Sequence, residues 1–290
     1  MFWNLYLNEN TKNLRRWMLW AEILVLVVLV IFLNVGTYFL TQGASGSNAN
    51  IQPDSKDALM QTLTWPTALP QMLGLAAANG LGGLLVIILT AAITAQEYTW
   101  RTMQLWISQG ARRSSLMIAK FTSILLPVLL IVLTPVLVGG LLTIFFSFHI
   151  NGSLNLEQID FWQLFLGYLR TAYTLLPYAA LTFLFAVLSR STVVAIGAGL
   201  GYSLLLEGVF LQLMVLFGGG FGKFIQYLPG ALTQSLLSLN QNIITSNAAS
   251  SAGPTIELLA PFPAAAAIFV WTAALVGLAT WRFHKQDLSG

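Results

Sequence analysis

Hydrophobic residues are gathered along this chain into long runs that are separated by shorter polar segments. A membrane helix needs about 20 mostly apolar residues to cross the hydrocarbon core. Continuous runs of this length are typical of transmembrane helices, whereas the helices of soluble proteins carry a narrower apolar stripe. The pattern predicts six membrane spans, at about residues 17–40, 69–95, 116–148, 161–188, 193–217 and 261–281.

The composition agrees with this pattern. Of the 290 residues, 57% are hydrophobic and 8% are charged, whereas an average soluble protein has about 25% charged residues. A soluble enzyme, a disordered chain, a coiled coil and collagen are excluded, because each needs more polar or more periodic sequence. We therefore predict an all-α polytopic membrane protein that forms a single transmembrane domain over residues 1–290.

Positive charges are distributed unevenly between alternate loops. The positive-inside rule places loops rich in Lys and Arg in the cytoplasm. With a cytoplasmic N-terminus, ten of the thirteen Lys and Arg residues fall inside, Lys56 and Lys223 fall outside and Arg170 is embedded. The net charge of +3 thus reflects topology, and no nucleic-acid partner is expected. The ten are Lys12, Arg15, Arg16, Arg101, Arg112, Arg113, Lys120, Arg190, Arg282 and Lys285.

Few residues are suited to chemistry. The chain has no Cys, which excludes thiol catalysis, disulfides and Cys-ligated metal centres. His149 and His284 fall on opposite sides of the predicted topology, so they cannot share a metal ion. The stretch Gly218–Lys223 is rich in glycine but lacks the spacing of a phosphate-binding loop. We expect no catalytic residue, no metal site and no nucleotide site in this chain.

Two local features modify the simple pattern of spans. The third run is longer than a perpendicular span requires and contains Pro127 and Pro135, so we expect it to be tilted and kinked. Before the sixth run, apolar residues at helical spacing predict a short amphipathic helix at the outer interface. These apolar residues are Leu232, Leu236, Leu239 and Ile243.

Three charged residues lie in or near apolar runs, where burial is costly unless they are paired or face water. Glu22 is close to the cytoplasmic end of its run, so we expect it to reach the interface. Glu207 is near the middle of the fifth run. It is a candidate for the wall of a transport pathway or for ion coupling, and the alternative is a hydrogen-bonded contact with another helix, for which Arg170 is one partner to consider.

Small residues recur at a spacing of four in two of the runs. This spacing lets helix backbones approach each other closely, either within one chain or between two chains of a dimer. The residues are Gly74, Ala78 and Gly82 in the second run, and Gly197 and Gly201 in the fifth.

The cytoplasmic segment between the second and third runs is the most informative. Glu97 and Arg101 are spaced to pair on a helix, Trp106 and its neighbours give an amphipathic surface, and Gly110 suits a C-terminal cap. Lys120 follows, and we expect it to extend back toward the lipid headgroups. The pattern predicts a short interfacial helix, whose simplest role is to anchor the loop at the membrane surface.

The segment also contains, in order, Glu97, Thr102, Leu105, Gly110, Arg113, Leu116 and Lys120. In this order it resembles permease subunits of type 2 ATP-binding-cassette (ABC) transporters. The resemblance implies that the helix is a coupling helix, which docks into a cleft on a separate ATPase through Glu97, Arg101, Thr102, Leu105, Trp106, Gly110 and Arg113. Arg101 departs from the family pattern, in which many members have Gly before the Thr.

The resemblance also implies partners and a function. Two copies of a cytosolic ABC ATPase, which hold the ATP and Mg²⁺, and a second permease chain, identical or homologous, would complete an exporter in the lipid bilayer. The chain itself would bind no cofactor. We expect a multi-pass protein of a prokaryotic inner (plasma) membrane, with both termini in the cytoplasm. The alternative is a membrane protein without an ATPase, either a secondary transporter or a structural subunit of a larger complex.

Overall fold

The computed structural model describes residues 2–46, 60, 62–100, 106, 108, 112–151, 160–210, 225–243 and 258–286. Every regular element within these ranges is helical, and six helices are long and apolar enough to cross a membrane. The prediction of an all-α polytopic fold with six spans is confirmed. Of the fifth predicted span, residues 211–217 lie outside the described ranges.

The six spans match the predicted runs closely, and most of them extend a few residues further. Spans two and four are each built from two helices, and span five changes from an α-helix to a wider π-helix. Span one is Trp17–Gly46, span two is Leu69–Ala76 with Leu81–Thr99, span three is Arg113–Asn151, span four is Phe161–Thr174 with Leu176–Ser189, span five is Thr192–Leu200 with Gly201–Phe210, and span six is Pro261–His284.

The basic N-terminal segment forms a helix of its own, Phe2–Arg15, which packs against span three. Its buried face is formed by Leu5, Glu9 and Asn13, and Trp3 on another face is exposed. The four-residue spacing of the buried positions is that of one helix face. The buried face of this N-terminal helix therefore carries polar and charged groups into the protein.

The breaks in the spans lie in spans two and four. Span three runs as one helix through Pro127 and Pro135. Neighbouring helices help to accommodate proline in a membrane span. Span two is interrupted at residues 77–80, and span four is interrupted at Leu175, two residues before Pro177, whose missing N–H suits the first turn of a new helix.

The helix expected before span six is present as Pro229–Leu237, followed by a 3₁₀ turn, Ser238–Ile243. It does not lie on a surface with its polar residues outward. Thr233 and Asn240 are buried, and both have hydrogen-bond partners inside the protein. The Thr233 hydroxyl donates to the Gly230 carbonyl, and the Asn240 side chain donates to the Thr171 hydroxyl of span four. This Pro229 helix is thus part of the packed interior, between spans four and six.

The spans differ in how much of their surface the chain covers. Spans two and four are buried over most of their length, with Tyr178 and Phe183 among the largest enclosed side chains. Spans one and five leave most of their residues open. The packed core therefore surrounds spans two, three and four, and two spans offer broad apolar faces to lipid or to another chain.

Candidate functional site

The carboxylate of Glu97 lies at the end of span two, in the last turn of the Leu81–Thr99 helix. Its side chain is only 1% exposed. One carboxylate oxygen accepts from the Lys12 ammonium of the N-terminal helix, and the other is paired with the Lys120 ammonium of span three. Three separate elements thus meet at one buried acid.

Two further charges complete the group. Glu9 lies 3.7 Å from Lys12 and 3.5 Å from Lys120, measured between carboxylate oxygen and ammonium nitrogen. A guanidinium nitrogen of Arg16 lies 3.7 Å from Glu97. We refer to these five residues as the Glu97 cluster: Glu9, Lys12, Arg16, Glu97 and Lys120.

Neutral contacts fix the edges of the Glu97 cluster. Asn13 donates to the hydroxyl of Ser123 at 3.1 Å, one turn beyond Lys120 on span three. Arg16 donates to the side-chain oxygen of Gln96 at 3.5 Å and lies over the ring of Trp100, 5.7 Å from its centroid. The N-terminal helix is therefore held to spans two and three by polar contacts as well as by packing.

The charges of the cluster nearly balance, with two acids and three bases. Burial lowers the pKa of the Arg16 guanidinium, and the nearby carboxylates of Glu97 and Glu9 oppose that shift. Buried charges are tolerated when each has an opposite charge close by, and removing one partner leaves the other uncompensated. The five residues therefore behave as one unit, in which each charge depends on the others.

The position of the cluster along the chain indicates what it can do. Glu97 comes directly before the segment at residues 101–111, and Lys120 lies shortly after that segment. The contact between Glu97 and Lys120 joins the residues on either side of this segment. Glu97 also contacts Lys12 of the N-terminal helix. A displacement of the segment would therefore be transmitted to spans two and three and to the N-terminal helix together.

Two expectations about embedded charges are wrong. Lys120 does not extend to the headgroups, because its side chain is fully buried and its ammonium pairs with Glu97 and Glu9. Glu22 does not reach the interface either. It is 7% exposed, and neither of its carboxylate oxygens has a hydrogen-bond partner among the residues that the structure describes.

The other residues of the predicted coupling segment are only partly described. Trp106 is half-buried against the main hydrophobic core. Arg113 donates to the backbone carbonyls of His284 and Gln286, at 3.0 and 3.1 Å, and so joins the start of span three to the end of span six. The predicted pairing of Glu97 with Arg101 lies outside the described residues, as do Arg101, Thr102, Leu105 and Gly110.

Glu207 and Arg170 have partners other than each other. Glu207 accepts from the Tyr178 hydroxyl of span four and, at 3.0 Å, from the backbone N–H of Gly230. Arg170 donates to the side-chain oxygen of Gln163 at 3.2 Å and to the backbone carbonyl of Leu239. A direct pair between Glu207 and Arg170 is therefore not formed, and the hydrogen-bonded contact with another helix is found with Tyr178 instead.

The small residues singled out by their spacing fall into different surroundings. A side chain at Gly82 would meet the Ala76 carbonyl oxygen at 1.8 Å, because the chain folds closely on itself at the break of span two. At Gly74, Gly197 and Gly201 a side chain would meet nothing within 4 Å. Ala78 is buried. The two glycines of span five thus line an open face.

Glu9 and Lys12 were not identified from the sequence as parts of the site. A usable signal was present, because Leu5, Glu9 and Asn13 are spaced four apart and place an acid on the apolar face of a basic helix. Lys120, which lies within an apolar run, was a second signal that an acid would be needed nearby.

Comparison with known proteins gives one result that covers almost the whole chain. A family model described as ABC-2 family transporter protein matches residues 3–288. A comparison with curated proteins gives no significant match. The matched range includes the N-terminal helix, all six spans and every residue of the Glu97 cluster.

Proposed function

The chain belongs to the ABC-2 family of transporter proteins, and we propose that it forms the transmembrane pathway of an ATP-driven exporter. As a member of this family it is an integral, multi-pass permease subunit of an ABC transporter, which works with a partner ATPase. In this proposal two copies of a cytosolic ATPase hold ATP and Mg²⁺, and their closure drives alternating access of the permease. The chain supplies no hydrolytic residue and binds no cofactor.

The observation that carries this proposal is the Glu97 cluster. A permease powered by a separate protein needs a stiff connection between its docking segment and its spans. Glu97 and Lys120 flank residues 101–111 and pair directly with each other. Both side chains are buried, and each has more than one oppositely charged neighbour. Separating them would leave buried charges uncompensated, so they form a firm connection between spans two and three. This arrangement supports a coupling role for residues 101–111, which we propose to bind the ATPase.

The distribution of charges supports an orientation with both termini in the cytoplasm. The Glu97 cluster, Arg113 and the exposed Arg112 and Arg282 lie at the same ends of the spans, where the positive-inside rule places the cytoplasm. An ATPase that binds residues 101–111 from the cytoplasm is consistent with both termini on that side. We also propose that the protein lies in a prokaryotic plasma membrane, because the family resemblance implies this location.

A second permease chain completes the pathway in this proposal. Spans one and five are mostly uncovered, and a side chain at Gly197 or Gly201 of span five would meet nothing within 4 Å. Small residues of this spacing allow close approach between helices of two chains. We propose that this face of span five meets its counterpart in an identical or homologous chain.

The test is co-purification with a charge-reversal variant. The tagged chain is purified from its native host in mild detergent, and co-eluting proteins are identified by mass spectrometry and assayed for ATP hydrolysis. We expect a stoichiometric cytosolic P-loop ATPase with the wild type. We expect its loss with Arg101→Glu, because an acid replaces a base at the proposed docking surface.

The matched control is Arg282→Glu, which reverses an exposed charge at the same side of the membrane but outside the proposed docking segment. We expect this variant to retain the ATPase. All three proteins are first checked for the same elution volume in size-exclusion chromatography. A wild-type chain that elutes alone or with other membrane subunits, without ATP hydrolysis, would overturn the exporter proposal.

A further inference from the structure

A cleft lies between spans two and five and the Pro229 helix, in the half of the spans that is remote from the Glu97 cluster. Its volume is about 490 Å³, which is within the range of small-molecule sites. Leucines form much of its wall, and Asn79, Ser203 and Gln234 add neutral polar groups. The leucines are Leu75, Leu81, Leu84 and Leu204.

One charged side chain is found among the described residues that line this cleft, and it is Glu207. Both of its carboxylate oxygens accept hydrogen bonds, from the Tyr178 hydroxyl and from the Gly230 N–H. Hydrogen bonds from these two donors stabilise the ionised form of the carboxyl group, and burial opposes ionisation. Tyr178 also orients the carboxylate, because its ring is buried in span four.

The carboxylate has no positive partner within the part of the chain that the structure describes. The ion pairs found there all belong to the Glu97 cluster, and no Lys or Arg is among the described lining residues of the cleft. Ionisation of an acid beside apolar surface is costly, and an approaching positive charge would stabilise the ionised form.

We propose that the cleft binds an amphipathic organic cation, with Glu207 as its countercharge and the leucines as the surface for its apolar part. The inference rests on the proposed function, in which such a cation is the cargo or a close analogue of it. An anion is disfavoured, because the charge that it would meet is negative. Tyr178 acts as a positioning residue, since it holds the carboxylate without lining the cleft itself.

The competing role for Glu207 is purely structural. Its contact with Gly230 links span five to the Pro229 helix, and a side chain at Gly230 would meet the Glu207 carboxylate at 3.0 Å. A structural link requires a hydrogen-bond acceptor but no negative charge. Glutamine keeps the acceptor and removes the charge, so Glu207→Gln separates the two roles.

The experiment uses two probes of the same shape and opposite charge. Tetraphenylphosphonium and tetraphenylborate are titrated separately onto the purified complex in lipid nanodiscs, without nucleotide, and binding is measured by equilibrium dialysis. We expect saturable binding of tetraphenylphosphonium to the wild type and a loss of affinity of about tenfold or more with Glu207→Gln. After subtraction of the uptake by empty nanodiscs, binding of tetraphenylborate is expected to be weaker in the wild type and not reduced in the variant.

The matched control is Glu22→Gln, which neutralises another buried acid that does not line the cleft. We expect it to bind tetraphenylphosphonium like the wild type. If Glu207→Gln does not fold, Tyr178→Phe replaces it, with a smaller expected loss because the carboxylate remains. Equal affinity of wild type and Glu207→Gln for tetraphenylphosphonium, or equal binding of the two probes by the wild type, overturns the inference.

The binding measurement and the co-purification measurement can fail separately. If the complex contains an active P-loop ATPase but does not bind the cation, the inferred cation site is overturned and the chain is still part of an ABC transporter. If the chain binds the cation through Glu207 but elutes without an ATPase, the cation site is supported and the exporter proposal is overturned. The two failures are therefore read from different measurements on the same preparation.

Discussion

The ammonium of Lys120 is held inside the protein with no exposed surface on its side chain. Such a burial is stable only because Glu97 and Glu9 are close. At the scale of single residues, the first consequence concerns stability. Neutralising either Lys120 or Glu97 alone leaves the charge of the other residue uncompensated. Neutralising both residues removes the two opposite charges together.

We therefore expect Lys120→Met and Glu97→Gln each to destabilise the protein by about 3 kcal/mol. The double variant is expected to lose less than the sum, with a coupling free energy of about 0.5–3 kcal/mol. The measurement is the melting temperature of each purified variant in detergent, followed by fluorescence-detected size-exclusion chromatography. Lys285→Met, which removes an exposed charge near the end of span six, is the control and should melt like the wild type. Strict additivity of the two changes would contradict the pairing.

A different outcome is expected for Glu22. Its buried carboxylate oxygens have no hydrogen-bond partner among the described residues. An acid in this position costs free energy, and a leucine of similar size does not. We expect Glu22→Leu to raise stability by about 1–2 kcal/mol, measured by the same melting assay. A lower melting temperature would mean that Glu22 has a stabilising partner after all.

At the scale of elements, the break of span two is the feature most sensitive to sequence. Gly82 lies where the chain folds back on the carbonyl of Ala76, so a methyl group there would overlap backbone atoms. We expect Gly82→Ala to reduce the yield of folded protein severely. Gly74→Ala, in the same span, adds the same group into open space and should be tolerated.

The comparison is made on detergent extracts of cells that express each variant at equal levels, by the height of the monodisperse peak. Equal peaks for Gly82→Ala and Gly74→Ala would show that the break of span two adjusts easily. The two glycines share one sequence pattern, so only their surroundings in the fold distinguish them.

The same two glycines illustrate what the sequence can and cannot predict. The number, order and approximate ends of the spans follow from hydropathy, because lipid demands long apolar helices. The breaks at residues 77–80 and at Leu175 do not, because they depend on how the helices pack against one another. The prolines of span three do not interrupt its helix.

The candidate site was predicted in part. Glu97 was identified by its position before the segment predicted to be cytoplasmic, and Lys120 was the last residue of the pattern that resembles the family. Their contact was not predicted, because it depends on how spans two and three pack against each other. A hydropathy pattern locates the charges along the chain but does not give the angle at which two helices meet.

At the scale of the whole molecule, the open face of span five predicts where a second chain lies. The natural sequence has no Cys, so a single introduced thiol can be crosslinked without a background. We expect Gly197→Cys to form disulfide-linked dimers in native membranes after mild oxidation, because Gly197 lies on an uncovered helix face.

Gly277→Cys is the matched control. Gly277 also has nothing within 4 Å of its would-be side chain, but it is on span six. It should remain monomeric on non-reducing gels if span five forms the interface. Crosslinking of Gly277→Cys in preference to Gly197→Cys would move the interface to span six.

The Glu97 cluster also bears on how the chain is made. Glu9 and Lys120 are separated by 111 positions, so the acid leaves the ribosome long before its partner. Until span three follows, Glu9 of the N-terminal helix and Glu97 of span two have Lys12 and Arg16 as their basic partners within the cluster. The first three spans are therefore expected to leave the translocon as one assembly, so that Lys120 never enters the bilayer without its two acids.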